Sequence, residues 1–407
     1  MTIMKTRFFF FSVLLAAGIM PQANALPETQ IRYSHGNCAR QIPIKNWNSL
    51  IVFTARVNGL QTGTFILDSG AGVSVIDSSF AASAGVDLSK KGISAKTGQE
   101  YLIAGNIDFD LPGVTVTGLD LRAMNISQLS VFTGHKIDGV IGYELFSRMV
   151  VEVDYAGNHL NFYDPSSYRY RGHGEKLQVA FANNWPVVEA VFSQKNGKTL
   201  KGKVLIDTGS MTPVSLNSAG FCDQTIPNPI SAGLMGTSAG GELGRIDAVK
   251  LGNIKVANVW GGMPSENKVE ESNPINDAVA DAGIGLIGGP VLNRFTLVFD
   301  YSRESVYFEP NKYLEYSFDP ELLGASILAT GDDFQNFQVL TVAKGTPAES
   351  AGLQPGDEII GVDQYSASQL RLWTLRQLFR KPGQTYSVNL RRNGEDLKVP
   401  VTLKKVI

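Results

Sequence analysis

Phe65-Ile66-Leu67-Asp68-Ser69-Gly70 and Val204-Leu205-Ile206-Asp207-Thr208-Gly209 are one pattern written twice. Each is an apolar, β-rich run that ends in Asp, a small hydroxyl residue and Gly, and each leads into a second apolar run (Val73–Ile76; Val214–Leu216). The two aspartates lie 139 positions apart (207 − 68). A single Asp-x-Gly is ordinary turn chemistry, because both residues favour turns. Two in matching contexts have a further use. Meeting at a pseudo-twofold axis, the carboxyls would share one proton and hold a water between them.

The match extends well beyond the triplets. Asn46-Trp47 precedes Asp68 as Asn184-Trp185 precedes Asp207, and each copy carries an Asn-Gly hairpin signal, Asn58-Gly59 and Asn196-Gly197. LPGVTV (111–116) aligns with LGNIKV (251–256) at an offset of 140, and the segments 138–165 and 282–310 align at 146 on Gly142/Gly288 and Asp154-Tyr155/Asp300-Tyr301. A period of this length suits two homologous lobes rather than a solenoid. Short runs of period two, broken by Gly, Asn and Pro, predict all-β lobes at 40–168 and 169–310.

Outside the repeat, residues 1–25 read as a signal peptide: Lys5 and Arg7, an apolar stretch over 8–20, and the A-x-A site Ala23-Asn24-Ala25. That stretch falls short of the ~20 residues that span a bilayer. Cleavage after Ala25 would leave an N-terminal arm (26–39), no membrane span, and a periplasmic or secreted chain. After Pro310 the grammar changes. A linker (311–324) leads to 325–407, where Gly345–Val362 (GTPAESAGLQPGDEIIGV) opens a short helix with Pro-Ala and turns through Gly-Asp into an apolar strand. This tail resembles a PDZ domain, a small β-fold with helices that binds an extended peptide at a sheet edge. Its candidate ligand loop is 331–337, with Phe334, Phe337 and Val339 as peptide contacts, although Asp332 and Asp333 would repel a terminal carboxylate.

On Asp68-Ser69-Gly70, Asp207-Thr208-Gly209 and the two apolar-apolar-Gly segments ending at Gly142 and Gly288, residues 40–310 resemble the retropepsin-like aspartic proteases in a single-chain, two-lobed, pepsin-like arrangement. The resemblance implies an aspartic endopeptidase with Asp68 and Asp207 as catalytic residues and peptides or proteins as substrates. It implies that Ser69 and Thr208 cross-bond the two loops, and that Gly70 and Gly209 allow close backbone approach. Ile141-Gly142 and Ile287-Gly288 would support the catalytic turns from beside them. Hairpins with Gly98 and Tyr101 at one tip and Gly240 and Gly241 at the other are candidate flaps. Ser210 stands where the first copy has Ala71. Its hydroxyl is expected to bond Asp207, favouring ionisation there and leaving the proton on Asp68.

Other chemistry finds little support. Net charge is −2, from 36 basic and 38 acidic residues, which points away from nucleic acid. The four histidines (His35, His135, His159, His173) are dispersed, and neither metal nor cofactor is implied. Gly283-Ile284-Gly285-Leu286-Ile287-Gly288 fits G-x-G-x-x-G but lacks the strand before and long helix after that a nucleotide cradle requires. In an oxidising compartment Cys38 and Cys222 permit one disulfide, with two separate thiols as the alternative. The competing functional reading is a noncatalytic peptide-binding scaffold. Two paired buried carboxyls, costly to hold, argue against it.

Overall fold

The computed structural model describes residues 29–93, 100–227, 241–264, 283–318 and 321–404. The fold is all-β, in four sheets with short helices between them. No helix among the described residues is long and apolar enough to cross a membrane.

In the first lobe, strands Leu50–Val57 and Gln61–Leu67 form a hairpin whose turn places Asn58 (φ 51°) and Gly59 (φ 66°) in the left-handed region that Asn-Gly tolerates. Gln61–Leu67 then ends at Asp68. The short strand Gly139–Ile141 runs parallel beside it, Ile141 opposite Leu67, and on its other edge pairs antiparallel with Val75–Asp77. The chain thus leaves the aspartate, turns, and returns one strand away. The second lobe repeats this: Thr199–Asp207 pairs parallel with Gly285–Gly288, which pairs antiparallel with Val214–Leu216. Phe65, Leu67, Val204 and Ile206 are fully buried beneath these strands, which fixes the register at each aspartate.

A six-stranded sheet joins the lobes. Its centre is the antiparallel pair Val150–Asp154 and Phe295–Asp300, Val151 opposite Phe299 and Val153 opposite Leu297. The lobes therefore pair within one chain. Cys38–Pro43 closes one edge of this sheet, and Gln30–Tyr33 pairs with Val114–Met124 of the first lobe, so the segment read as an arm is woven into two sheets.

The C-terminal sheet runs Ala325–Thr330, Asn336–Val342, Glu358–Val362, Thr385–Arg392, Glu395–Thr402, with helix Leu372–Leu378 beside Ala325–Thr330. Its core of Phe337, Val339, Ile359, Leu375, Phe379 and Val388 also takes in Leu322 and Leu323 from the end of the expected linker. Asp357, of the Gly-Asp turn, is buried and held by both arms of Arg392 at 2.6 and 2.8 Å.

Candidate active site

The strand ends of the two lobes bring Asp68 and Asp207 together at 2% and 3% exposure. Their loops are cross-bonded reciprocally. Thr208 Oγ1 accepts from Ser69 N–H (2.9 Å) and donates to Leu67 C=O (3.0 Å). Ser69 Oγ accepts from Thr208 N–H (3.1 Å) and donates to Ile206 C=O (2.6 Å). All four buried backbone groups are satisfied by two hydroxyls, which ties the strand ends into one rigid unit.

Glycine is required where each loop passes the opposite carboxyl. A Cβ on Gly209 would meet Asp68 Cγ at 2.3 Å, and one on Gly70 would meet Asp207 Cγ at 2.6 Å. The exposed amides serve the carboxyls: Gly70 N–H donates to Asp68 Oδ1 at 2.7 Å and Gly209 N–H to Asp207 Oδ1 at 2.9 Å.

Burial raises both carboxyls, and they hydrogen-bond one another. For Asp68 the bond from Asp207 and the amides of Gly70, Gly209 and Ala71 offset part of that rise. For Asp207 burial, the adjacent Asp68 charge and the shared bond act upward and hold it well above the usual range, against the lowering amides of Gly209 and Ser210. The two carboxyls therefore both sit above the ordinary range and hold their proton as a pair. The bond expected from the Ser210 hydroxyl to Asp207 is not made. That hydroxyl accepts from Thr212 N–H (3.2 Å) and contacts Thr212 C=O (3.4 Å), bonds supplied by its own turn.

The support loops sit directly behind the turns. Asp68 N–H donates to Ile141 C=O at 2.9 Å, and Gly142 N–H to Ser74 Oγ at 2.8 Å. Ile287 lies opposite Ile206, Gly288 N–H donates to Pro213 C=O (2.9 Å) and Gly289 N–H to Ser210 C=O (2.8 Å). Sequence reading missed several members of this shell. Ser74 is held by Glu144 through both its N–H (2.8 Å) and its hydroxyl, and burial keeps Glu144 above its ordinary range. The repeat offsets 139 and 146 place Pro213 and Pro290 at the corresponding positions, so the couple exists in one lobe only. Each lobe also reaches across to the other's turn. Asn184 Nδ2 donates to Gly72 C=O (3.1 Å), Asn48 Nδ2 to Met211 Sδ (3.5 Å), and Asn293 Nδ2 to Ser49 Oγ (2.9 Å). The duplicated Asn-Trp pairs were the available signal, read only as repeat markers.

Other expected site residues fall elsewhere. Gly98 and Gly240 lie outside the described residues. Tyr101 packs on Gly92, with the Arg122 guanidinium 4.2 Å from its ring centroid, and Gly241 is buried just before strand Glu242–Leu251. Cys38 and Cys222 are both free thiols, the second of the two readings the sequence left open. Cys222 is buried beside Gly244, contacts Gln194 Nε2 (3.1 Å), and burial pushes its thiol up to about 11. Phe337 and Val339 are core residues, not peptide contacts, because their strand is already bonded on both edges. Phe334 only packs against that core, from a turn with φ 57°. The free edge beside the helix is Ala325–Thr330.

Two lobes closing on a pair of buried, cross-bonded aspartates, with a third β-unit appended, define the architecture. Family comparison matches part of the first lobe and the C-terminal unit. Residues 53–145 match the family described as aspartyl protease, and residues 315–403 the family described as PDZ domain. The chain thus carries an aspartyl protease domain, which includes Asp68, and a C-terminal PDZ domain. No curated protein matches it. Among solved structures, a photosystem II D1 C-terminal processing protease is 28% identical over 23% of this chain and 26% of that chain, with a TM-score of 0.21. This chain therefore spans about a quarter of that relative, and a superposition this poor carries no argument.

Proposed function

We propose that the protein is an aspartic endopeptidase that acts on peptides or proteins, its single site built within one chain by duplication and its PDZ domain serving peptide docking. The observation that carries this reading is the reciprocal Ser69–Thr208 clasp, which holds Asp68 and Asp207 together at near-complete burial. A buried carboxyl pair sharing a proton has both functions that hydrolysis needs. The ionised member of the pair takes a proton from the bound water as it attacks the peptide carbonyl. The protonated member donates to the developing oxyanion, and the proton then passes to the leaving amine. No covalent intermediate forms. The N-terminal 25 residues are read as a cleavable signal, which would place the mature chain in the periplasm or outside the cell.

Incubating the purified chain with a mixed peptide library, beside Asp68→Ala and Asp207→Ala, tests the assignment. Cleavage by the parent and by neither variant is expected. Cleavage that survives either substitution rejects the shared dyad, and none by the parent at any pH favours the scaffold.

The pH profile should be bell-shaped, because only the singly protonated pair is active. Its alkaline limb reports loss of the pair's last proton, which burial and the neighbouring carboxylate charge move upward. Ser210→Ala is expected to leave both limbs in place, since the hydroxyl is engaged by Thr212. A limb displaced by that substitution would contradict the assignment. Gly209→Ala is expected to abolish cleavage with the fold retained by circular dichroism, because the added methyl occupies the position of the Asp68 carboxyl.

A further inference from the structure

A PDZ domain takes an extended peptide at a free strand edge beside a helix. Here that groove lies between Ala325–Thr330 and helix Leu372–Leu378, and the first lobe already covers it. Helix Ser127–Thr133 packs against strand Ala325–Thr330. Its C-cap, Gly134, straddles both walls: a Cβ there would meet Leu372 Cβ at 2.7 Å and Ala329 Cβ at 3.4 Å. Ala329 and Leu372, the two residues that Gly134 faces, are 0% exposed. Arg376, from the helix, spans the groove and donates to Ile327 C=O at 3.0 Å, occupying an acceptor on the strand itself.

A polar tie fastens the same interface. Arg380 Nη2 donates to Asn48 Oδ1 at 3.0 Å, and the other arm of Asn48 contacts Met211, two residues beyond Gly209. Next to Gly134, His135 stacks on Trp47 at 3.8 Å, in the turn that carries Asn48. The groove and the Asp207 loop are thereby joined through one short turn of the first lobe.

We infer that the PDZ groove is closed in cis by the first-lobe segment 127–135, so that an extended peptide enters only when the PDZ domain undocks from that lobe. Undocking breaks the Arg380–Asn48 bond and frees the turn that touches the Asp207 loop. Peptide occupancy of the groove is then coupled to the dyad, a consequence that rests on the reading of Asp68 and Asp207 as the protease site.

The test separates docking from catalysis. Gly134 adopts φ 70° and ψ 24°, a conformation that asparagine tolerates at a helix C-cap. Gly134→Asn therefore preserves the first-lobe helix while driving a Cβ into Leu372. Arg380→Ala removes the polar tie. Each is made in the full chain carrying Asp68→Asn, immobilised, and exposed to a pool of random decapeptides with free carboxyl termini. Retention at least tenfold above the Asp68→Asn parent is expected for Gly134→Asn, with a smaller gain for Arg380→Ala. Hydrogen exchange should show faster amides in 127–135 and 325–330 of these variants, with 358–362 and 385–392 still protected. If Gly134→Asn loses protection throughout the PDZ domain, Arg380→Ala decides. Equal retention by all chains that keep the PDZ domain folded overturns the inference. Neither readout uses peptide cleavage, so failure of the protease reading leaves the result interpretable.

Discussion

Asp207→Asn is expected to lower kcat/KM for peptide cleavage by about 10²–10⁴-fold, the range lost with a positioned acid or base. Asparagine keeps the shape of the side chain and its bond from Gly209 but cannot pass a proton between oxyanion and leaving group. The same substitution should stabilise the fold, and increasingly so as pH rises. Asp207 is raised in the folded state by burial, then by the Asp68 charge. A carboxyl whose folded pKa lies above its unfolded value binds more protons when folded. Its contribution to stability is complete below the unfolded value of 3.8 and is lost as pH climbs through the raised folded value. Asparagine carries no such dependence. Thermal unfolding of parent and variant at about pH 4 and about pH 7 should therefore show a melting-temperature gain that is larger at the higher pH. A gain that shrinks with pH would contradict a raised Asp207 carboxyl, and retained cleavage would remove Asp207 from the mechanism.

Thr208→Val should cost both stability and activity. Valine matches threonine in shape but leaves Ser69 N–H and Leu67 C=O buried without the partner they have now. An orphaned buried group costs about 1–3 kcal/mol, so the pair together should cost about 2–6 kcal/mol in urea unfolding. Activity should fall as well, because the clasp holds the carboxyls together. Thr208→Ser keeps the hydroxyl and should stay close to the parent in both measurements. Ser69→Ala should mirror the valine variant, and the double variant should cost less than the sum, since the two hydroxyls satisfy one shared network. Additive losses would mean that the clasp does not act as a unit.

The contrast between what could and could not be read along the chain has physical causes. The aspartate turns were legible because an apolar strand, Asp, hydroxyl and Gly are contiguous, and their recurrence defeats the turn reading. The PDZ-like tail was legible for the same reason, in the contiguous Gly345–Val362. The Ser74–Glu144 couple was not. Its members are 70 residues apart and meet only because Gly139–Ile141 threads between two strands. Ser210 misled because a short hydroxyl next to a turn has competing partners, and Thr212, two residues on, engages it. The choice between a bridge and two thiols at Cys38 and Cys222 was not legible because an even count says nothing about distance, and the fold assigns one to the inter-lobe sheet and the other to the second lobe.

By itself, then, the sequence determined the chemistry-bearing turns, the two-lobe period and the all-β class, all properties of contiguous residues and their spacing. The tertiary structure alone decided that both carboxyls are raised as a pair, because that depends on burial supplied by both lobes at once. It alone decided where a peptide could enter the PDZ domain, because a strand becomes an edge only through its place in the sheet. It alone placed Gly134 across that edge, a contact between backbone segments about 200 residues apart that no local pattern encodes.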